Sequence, residues 1–324
     1  VKKHQNQDLF VAYVSDIKGK TKELQDFMSH NWFSLKKGRT KSIEHYFGKD
    51  KTQFVKVYTA GSSVATIWDN DFLLFCITQL RRKMEQGENV KNGRLAFSVY
   101  DYFTFRYRQL RDMRHKKSVT YDKALNVASG QRYKDLWNCI ERLHETHVKT
   151  NIRANGVTYT HSFVWLSEIK KIEQGGKAIG IEVQVADWLL NRVVEEKQLL
   201  TFDETYFDIK GGLERWLFLF CRKACGFQAE WRESLQSIYR KSASTADFRK
   251  FRVEIKKIAA KGQLLDYELE VVGSRGEEML VVRRAKHYLL NTEKRSRAKA
   301  ADAIKEAKDI LRKTADVQDV EETH

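Results

Sequence analysis

Hydrophobic residues along this chain recur mostly at spacings of three and four, in blocks separated by short stretches of alternation. The blocks predict amphipathic helices and the alternation predicts strands. Phe72, Leu73, Cys76, Ile77 and Leu80 share one helical face, predicting a helix from a cap at Asp69 or Asn70 to about residue 86, ended by Gly87. Leu213, Trp216, Leu217, Phe220, Cys221 and Ala224 form the stripe of another, ended by Gly226. Shorter helices are predicted over 22–28, 99–105 and 187–194. Alternation marks strands at 42–46, 53–58, 64–68, 94–98, 179–185 and 200–209.

Two further helices carry a different outer face. In 129–144, Tyr133, Leu136, Trp137, Ile140 and Leu143 form the apolar side, and Gln131, Lys134, Asp135, Asn138 and Arg142 the other. Residues 231–260 read as two helices joined by a Ser/Thr/Ala turn. The first holds Leu235, Ile238 and Tyr239 inward. In the second, Phe248, Phe251, Ile255, Ile258 and Ala259 face one way and Arg249, Lys250, Val253, Lys256 and Lys257 the other. Ser244 and Thr245 are the predicted N-caps, each with a hydroxyl that can accept from a first-turn amide. This is the sequence form of a helix-turn-helix whose second helix enters a DNA groove.

Each of these helices runs into a hairpin. Segments 148–152 and 157–166 flank Asn155 and Gly156, a strong hairpin turn. Segments 265–272 and 278–283 flank the turn at 273–276. Helix, helix, hairpin is the winged-helix order, and it occurs twice. The expected fold is therefore α+β, with two winged-helix domains in tandem. Residues 1–60 form an extension packing on the first domain, 61–198 that domain, 199–285 the second, and 286–324 a charged tail, helical or disordered.

Charge sharpens this picture. The 324 residues carry a net charge of +16 and a pI near 9.5, which points to a polyanionic partner, nucleic acid first. No stretch has the length of an apolar span and the opening VKKHQNQDLF is polar, so a cytoplasmic protein without membrane contact is expected. The basic run from residue 106 offers Arg106, Arg108, Arg111, Arg114, Lys116 and Lys117 to phosphates, and the two hairpins add Arg153 and Arg275. Gln131, Lys134, Asn138 and Arg142 are side-chain types that can read base edges. Ser244, Thr245, Arg249, Lys250, Lys256 and Lys257 are the counterpart on the second helix and its turn. The chain has no proline, so its turns rest on Gly, Asn, Asp and Ser.

No catalytic constellation emerges. A P-loop and a GxGxxG motif are both absent. His144 and His147 stand three apart without a third ligand, and Asp69 and Asp71 flank a helix start, where caps are found. Cys76, Cys139, Cys221 and Cys225 fall in apolar helical patterns, as buried thiols do. A non-enzymatic DNA binder without cofactor or metal is expected. An operator-binding winged-helix regulator is the alternative. RNA binding lacks an aromatic platform on a sheet.

The chain resembles the plasmid replication initiator protein A family. The resemblance is carried by NQDLFVA at 6–12, HNWFSLKK at 30–37, ATIWDNDFLLFCITQL at 65–80, and by 182–190 and 213–267. It implies tandem winged helices, a cytoplasmic location and binding to repeated double-stranded sites at a plasmid origin. It also implies recruitment of host replication proteins such as a helicase or host initiator, and repression of the protein's own promoter. A homodimer through the first domain fits the pattern. Where the family tends to carry proline, this chain has Asn31, Ala229 and Leu265, and the stretch 106–128 is longer than usual. The recognition-helix role passes to 131–144 and 245–257.

Overall fold

The computed structural model describes residues 21–24, 28–47, 52–90, 92–107, 130–152, 160–174, 177–194, 199–202, 204–226 and 228–285. In chain order its elements are β1 (Thr21–Leu24), β2 (Ile43–Phe47), β3 (Gln53–Thr59), α1 (Asn70–Glu85), β4 (Arg94–Phe97), α2 (Val99–Arg106) and α3 (Gly130–Glu145). Then come β5 (Thr146–Thr150), β6 (His161–Val164), β7 (Leu166–Gln174), β8 (Lys177–Val185), α4 (Asp187–Val194) and β9 (Leu199–Phe202). A 3-10 turn at Glu204–Asp208 leads into α5 (Gly212–Cys225), β10 (Glu230–Ser234), α6 (Leu235–Ser242) and α7 (Phe248–Ala259). The last strands are β11 (Gln263–Leu264), β12 (Tyr267–Val272) and β13 (Met279–Arg284). Helices and mostly antiparallel sheets alternate, making the fold α+β. No helix among the described residues is long and apolar enough to cross a membrane.

The centre of the first half is α1. Its sequence NDFLLFCITQL has apolar side chains on every side, and residues from Asn70 to Thr78 are buried around the whole circumference. It is walled by β1, β4, α2 and α4. Phe72 and Phe75 meet Phe97 and Tyr102, and Phe75 also meets Phe105 edge-on at 5.4 Å. Ser98 and Asp101 form a reciprocal capping box that starts α2. Antiparallel sheets β2-β3-β5-β6 and β4-β8-β7 flank this helical centre.

The second half is built on a single four-stranded antiparallel sheet. Helix α5 buries Leu213, Trp216, Leu217 and Phe220 beneath the sheet β10-β13-β12-β11. Helices α6 and α7 pack into the same core, with Leu235, Ile238, Phe251 and Ile255 buried.

The halves share one continuous apolar core. Strand β1 pairs with β9. Segment 30–39 closes the C-terminal end of α6: Asn31 donates to the carbonyls of Lys241 and Ser242, and Arg39 to that of Ala243. Gly212 opens α5 against the Leu35 carbonyl, where a Cβ would stand 2.3 Å from the oxygen. Residues 30–39, expected to pack on the first half, therefore touch both.

Several expectations are corrected. Residues 21–24 form a strand rather than part of a helix over 22–28, because they find a partner in β9. Residues 64–68 are not a strand: Thr66 makes one isolated bridge to Ser34, and the chain turns at once into α1. Residues 230–234 pair with β13 instead of opening a helix. Strand β9 ends at Phe202, before the 3-10 turn. The turn at Asn155 and Gly156 and the tail 286–324 lie outside the described residues, but β5 and β6 pair as expected, with Thr150 opposite His161.

Candidate nucleic-acid interface

Each candidate helix is fixed by its apolar stripe, which decides what its other face can offer. In α3, Leu136, Cys139, Ile140 and Leu143 are buried. Gln131, Lys134, Asp135 and Asn138 are exposed on the opposite side. Gln131 Nε2 donates to Asp135 Oδ1 at 2.9 Å, an i,i+4 pair along that face. Helix α3 runs without a break into β5.

Arg142 does not join this face. Its guanidinium grips the Asp69 carboxylate through two bonds, Nη2 to Oδ1 at 2.6 Å and Nε to Oδ2 at 3.0 Å. Asp69 also accepts from the Thr66 amide at 2.7 Å and the Thr66 hydroxyl at 2.8 Å. The expected cap is thus corrected: Asp69 stands at the N-cap position of α1 but bonds back to Thr66 and across to α3.

Arg106, expected to meet phosphate, points inward. Its Nε lies 2.5 Å from Asp71 Oδ2, off the line of a hydrogen bond, and its Nη1 donates to the Phe207 carbonyl at 3.2 Å. A buried carboxylate costs too much to leave unpaired, which explains both ion pairs. A polar cavity of about 340 Å³ lies between α2, α3 and the turn into α1, with Asp69, Asp71, Arg106 and Arg142 in its wall. Arg108, Arg111, Arg114, Lys116, Lys117 and Arg153 lie outside the described residues.

The second site is more basic. Helix α6 ends at Ala243, whose φ of 52° reverses the chain. Tyr239 locks the turn by donating to the Ala246 carbonyl at 2.8 Å and packing on Phe248 and Phe251. The N-cap of α7 is Asp247, which accepts from the Lys250 amide at 2.9 Å, so the caps expected at Ser244 and Thr245 are corrected. Ser244 instead accepts from Ala246 inside the turn, and Thr245 is exposed. Position 247 wins because it alone directly precedes the first helical residue.

Arg249, Lys250, Val253, Lys256 and Lys257 are all exposed on α7. Lys250 sits 3.4 Å from Asp247, and Lys256 3.1 Å from Glu278. Arg275 is exposed in the turn between β12 and β13. Buried Glu278 ties that hairpin to the helix. It accepts from the Gly276 amide at 3.0 Å and pairs with Lys256 and Arg252. Sequence reading missed this role, and its one signal was an acid directly before the apolar residues of a strand.

Among the described residues no group of three His, Cys, Asp or Glu is placed to hold a metal ion. His144 Nδ1 lies 2.7 Å from the Leu166 carbonyl and His147 stacks on Tyr58, so both are tied to structure. All four cysteines are buried, and burial pushes the Cys76, Cys139, Cys221 and Cys225 thiols up, away from thiolate.

The geometry thus defines an α+β protein in which two helices with polar outer faces each lead into an antiparallel hairpin. The chain belongs to the replication initiator protein A family, which it matches over residues 22–269. It is 27% identical over 246 residues to a protein of Wigglesworthia glossinidia brevipalpis provisionally named a replication protein, covering 75% of this chain and 82% of that one. Its fold is similar to that of domains 2 and 3 of RctB, with a TM-score of 0.54 at 10% identity, covering 80% of this chain and 98% of the other. At that identity the likeness concerns the fold alone.

Proposed function

We propose that this protein initiates replication of a plasmid by binding repeated double-stranded sequences at its origin through two winged-helix units. Helices α2 and α3 with the β5–β6 hairpin form one unit, and α6 and α7 with the β12–β13 hairpin the other. The observation that carries this reading is α7. Its apolar side is buried, its outer face presents Arg249, Lys250 and Lys257, and a hairpin tipped by Arg275 follows it. Such a helix suits a major groove, and the flanking cations suit phosphates.

The units divide the work. The exposed face of α3 holds Gln131, Lys134, Asp135 and Asn138 and nearly balances its charge, so it selects bases more than it attracts DNA. The α7 unit supplies more of the electrostatic affinity. Tethering makes the second contact intramolecular and raises affinity. The protein acts without catalysis, in the cytoplasm, recruits host replication proteins such as a helicase and represses its own promoter. Family membership supports these roles.

Selection from random duplex DNA at two salt concentrations tests the reading. The expected result is an enriched motif spanning two major-groove segments, with affinity falling steeply as salt rises. Binding without any enriched motif would reject sequence-specific initiation.

A further inference from the structure

Successive residues of a helix advance by about 100°, which places Val253 opposite the buried Phe251, Ile255 and Ile258 of α7. It is therefore the residue furthest from the core. Val253 is 45% exposed, and among the described residues only Tyr46 and Val194 are large apolar residues as open. Arg249 and Lys250 precede it by one turn, and Lys256 and Lys257 follow it by one turn. With Arg249, Lys250, Lys257, Asp247 and Glu254 it lines a shallow concavity on the helix surface. The Asp247 carboxylate there is already engaged by the Lys250 amide.

Folding does not explain a valine at this position. A β-branched residue on an exposed helix face is less favourable than alanine, lysine or arginine, and Val253 touches none of the core in return. A surface meant only for phosphates would gain more from another cation. An apolar group flanked by cations on the turns before and after it fits a polyanion that displays an apolar group of its own. Duplex DNA has one in the major groove, the C5-methyl of thymine.

We propose that Val253 is a specificity-determining residue whose isopropyl group packs on a thymine C5-methyl in the major groove. The inference rests on the DNA-binding reading above and deepens it. Arg249, Lys250 and Lys257 hold the helix in the groove, and Val253 selects thymine over the other bases at one position.

The test replaces thymine by deoxyuridine, one position at a time, in the motif recovered by selection. Deoxyuridine keeps the pairing and loses only the methyl group. Wild-type protein and Val253→Ala are compared, and unchanged thermal melting of the variant confirms that it folds. Loss of one buried methyl contact corresponds to about a fourfold weakening. The expected result is that weakening for wild type at one position, no thymine preference there for Val253→Ala, and matching profiles elsewhere. If Val253→Ala retains the wild-type profile at every position, or wild type shows no methyl effect anywhere, the inference is overturned while DNA recognition stands. If wild type enriches no motif at all, the functional reading itself fails and the inference falls with it.

Discussion

The Asp71 carboxylate and the Arg215 guanidinium lie 2.6 Å apart, and each side chain is only 1% exposed. Asp71 opens α1 and Arg215 belongs to α5, so the pair joins the two halves. Arg215 also donates to the carbonyls of Ile209 at 2.7 Å and Phe207 at 3.1 Å, and its guanidinium lies over the Tyr206 ring. Arg106 reaches the same carboxylate and the same Phe207 carbonyl. One acid therefore holds two arginines, and the excess positive charge rests on carbonyls and rings.

This arrangement makes Arg215 a structural requirement. Removing one partner of a buried ion pair costs about 3–5 kcal/mol, because the other charge is left without compensation. Arg215→Met should lower unfolding stability in urea by that order. Lys170→Ala, which removes exposed pairs with Glu168 and Glu182, should leave it almost unchanged. Equal stability of Arg215→Met and the parent would show that the pair does not hold the halves together.

Arg142 and Asn138 stand one turn apart on α3 and should behave differently. Arg142 is committed to Asp69, whereas Asn138 is exposed. Arg142→Gln should cost about 1–3 kcal/mol of stability and leave base preference as it was. Asn138→Ala should leave stability within about 0.5 kcal/mol and relax choice at one base pair, where a good contact is worth about 1–3 kcal/mol. Melting curves and binding to single-base variants of the selected site separate the two. A stability loss for Asn138→Ala would misplace that face.

Arg106 and Arg142 show where sequence reading stops. The apolar stripes of α1, α3, α5 and α7 are legible because burial imposes the helical period on them. The pairings β5–β6 and β12–β13 are legible because each partner lies close along the chain. Strand β1 is not, since TKEL has no local partner and pairs with β9. Strand β10 is missed for the same reason, its partner β13 coming after two helices. Arg106 and Arg142 look like surface cations because nothing periodic distinguishes a cation that turns inward. The available signal was on the other side: Asp69 and Asp71 border a helix whose first half is apolar on every side and buried, and buried carboxylates need cations. Asp247 rather than Ser244 or Thr245 caps α7 because the turn takes up more residues than its sequence suggests.

Acid should loosen the junction between segment 30–39 and α6. Burial, then the charges of His45, Lys241 and Lys223, lower the pKa of His30 from 6.5 to about 3. Burial lowers His45 as well, opposed by the carbonyls of Asn31 and Arg240. The folded pKa lies below the unfolded one, so between pH 6.5 and about 3 the unfolded chain binds more protons. The contribution is neutral above pH 6.5 and turns unfavourable as pH falls through that window. From pH 7.5 to 5.5, His30 alone should remove roughly 1 kcal/mol of stability. Denaturant titrations at both values should show that loss, and His30→Gln should reduce it. An undiminished loss in the variant would assign the effect elsewhere.

Salt dependence should separate Lys257 from Lys256, neighbours on the outer face of α7. Lys256 is held by Glu278, which Arg252 and the Gly276 amide also engage. Lys257 is exposed, and no ion pair with it is seen among the described residues. Each phosphate neutralised by a lysine contributes about 0.9 to the slope of log affinity against log salt, through release of a bound counterion. Lys257→Ala should therefore lower the slope by about 0.9 and weaken binding to all sequences alike. Lys256→Ala should leave the slope nearly unchanged, because its ammonium already neutralises a carboxylate rather than a phosphate. Fluorescence anisotropy on one duplex over a salt series measures both. Equal slope changes would mean that Lys256 leaves Glu278 on binding, and that the hairpin moves relative to α7 as DNA is engaged.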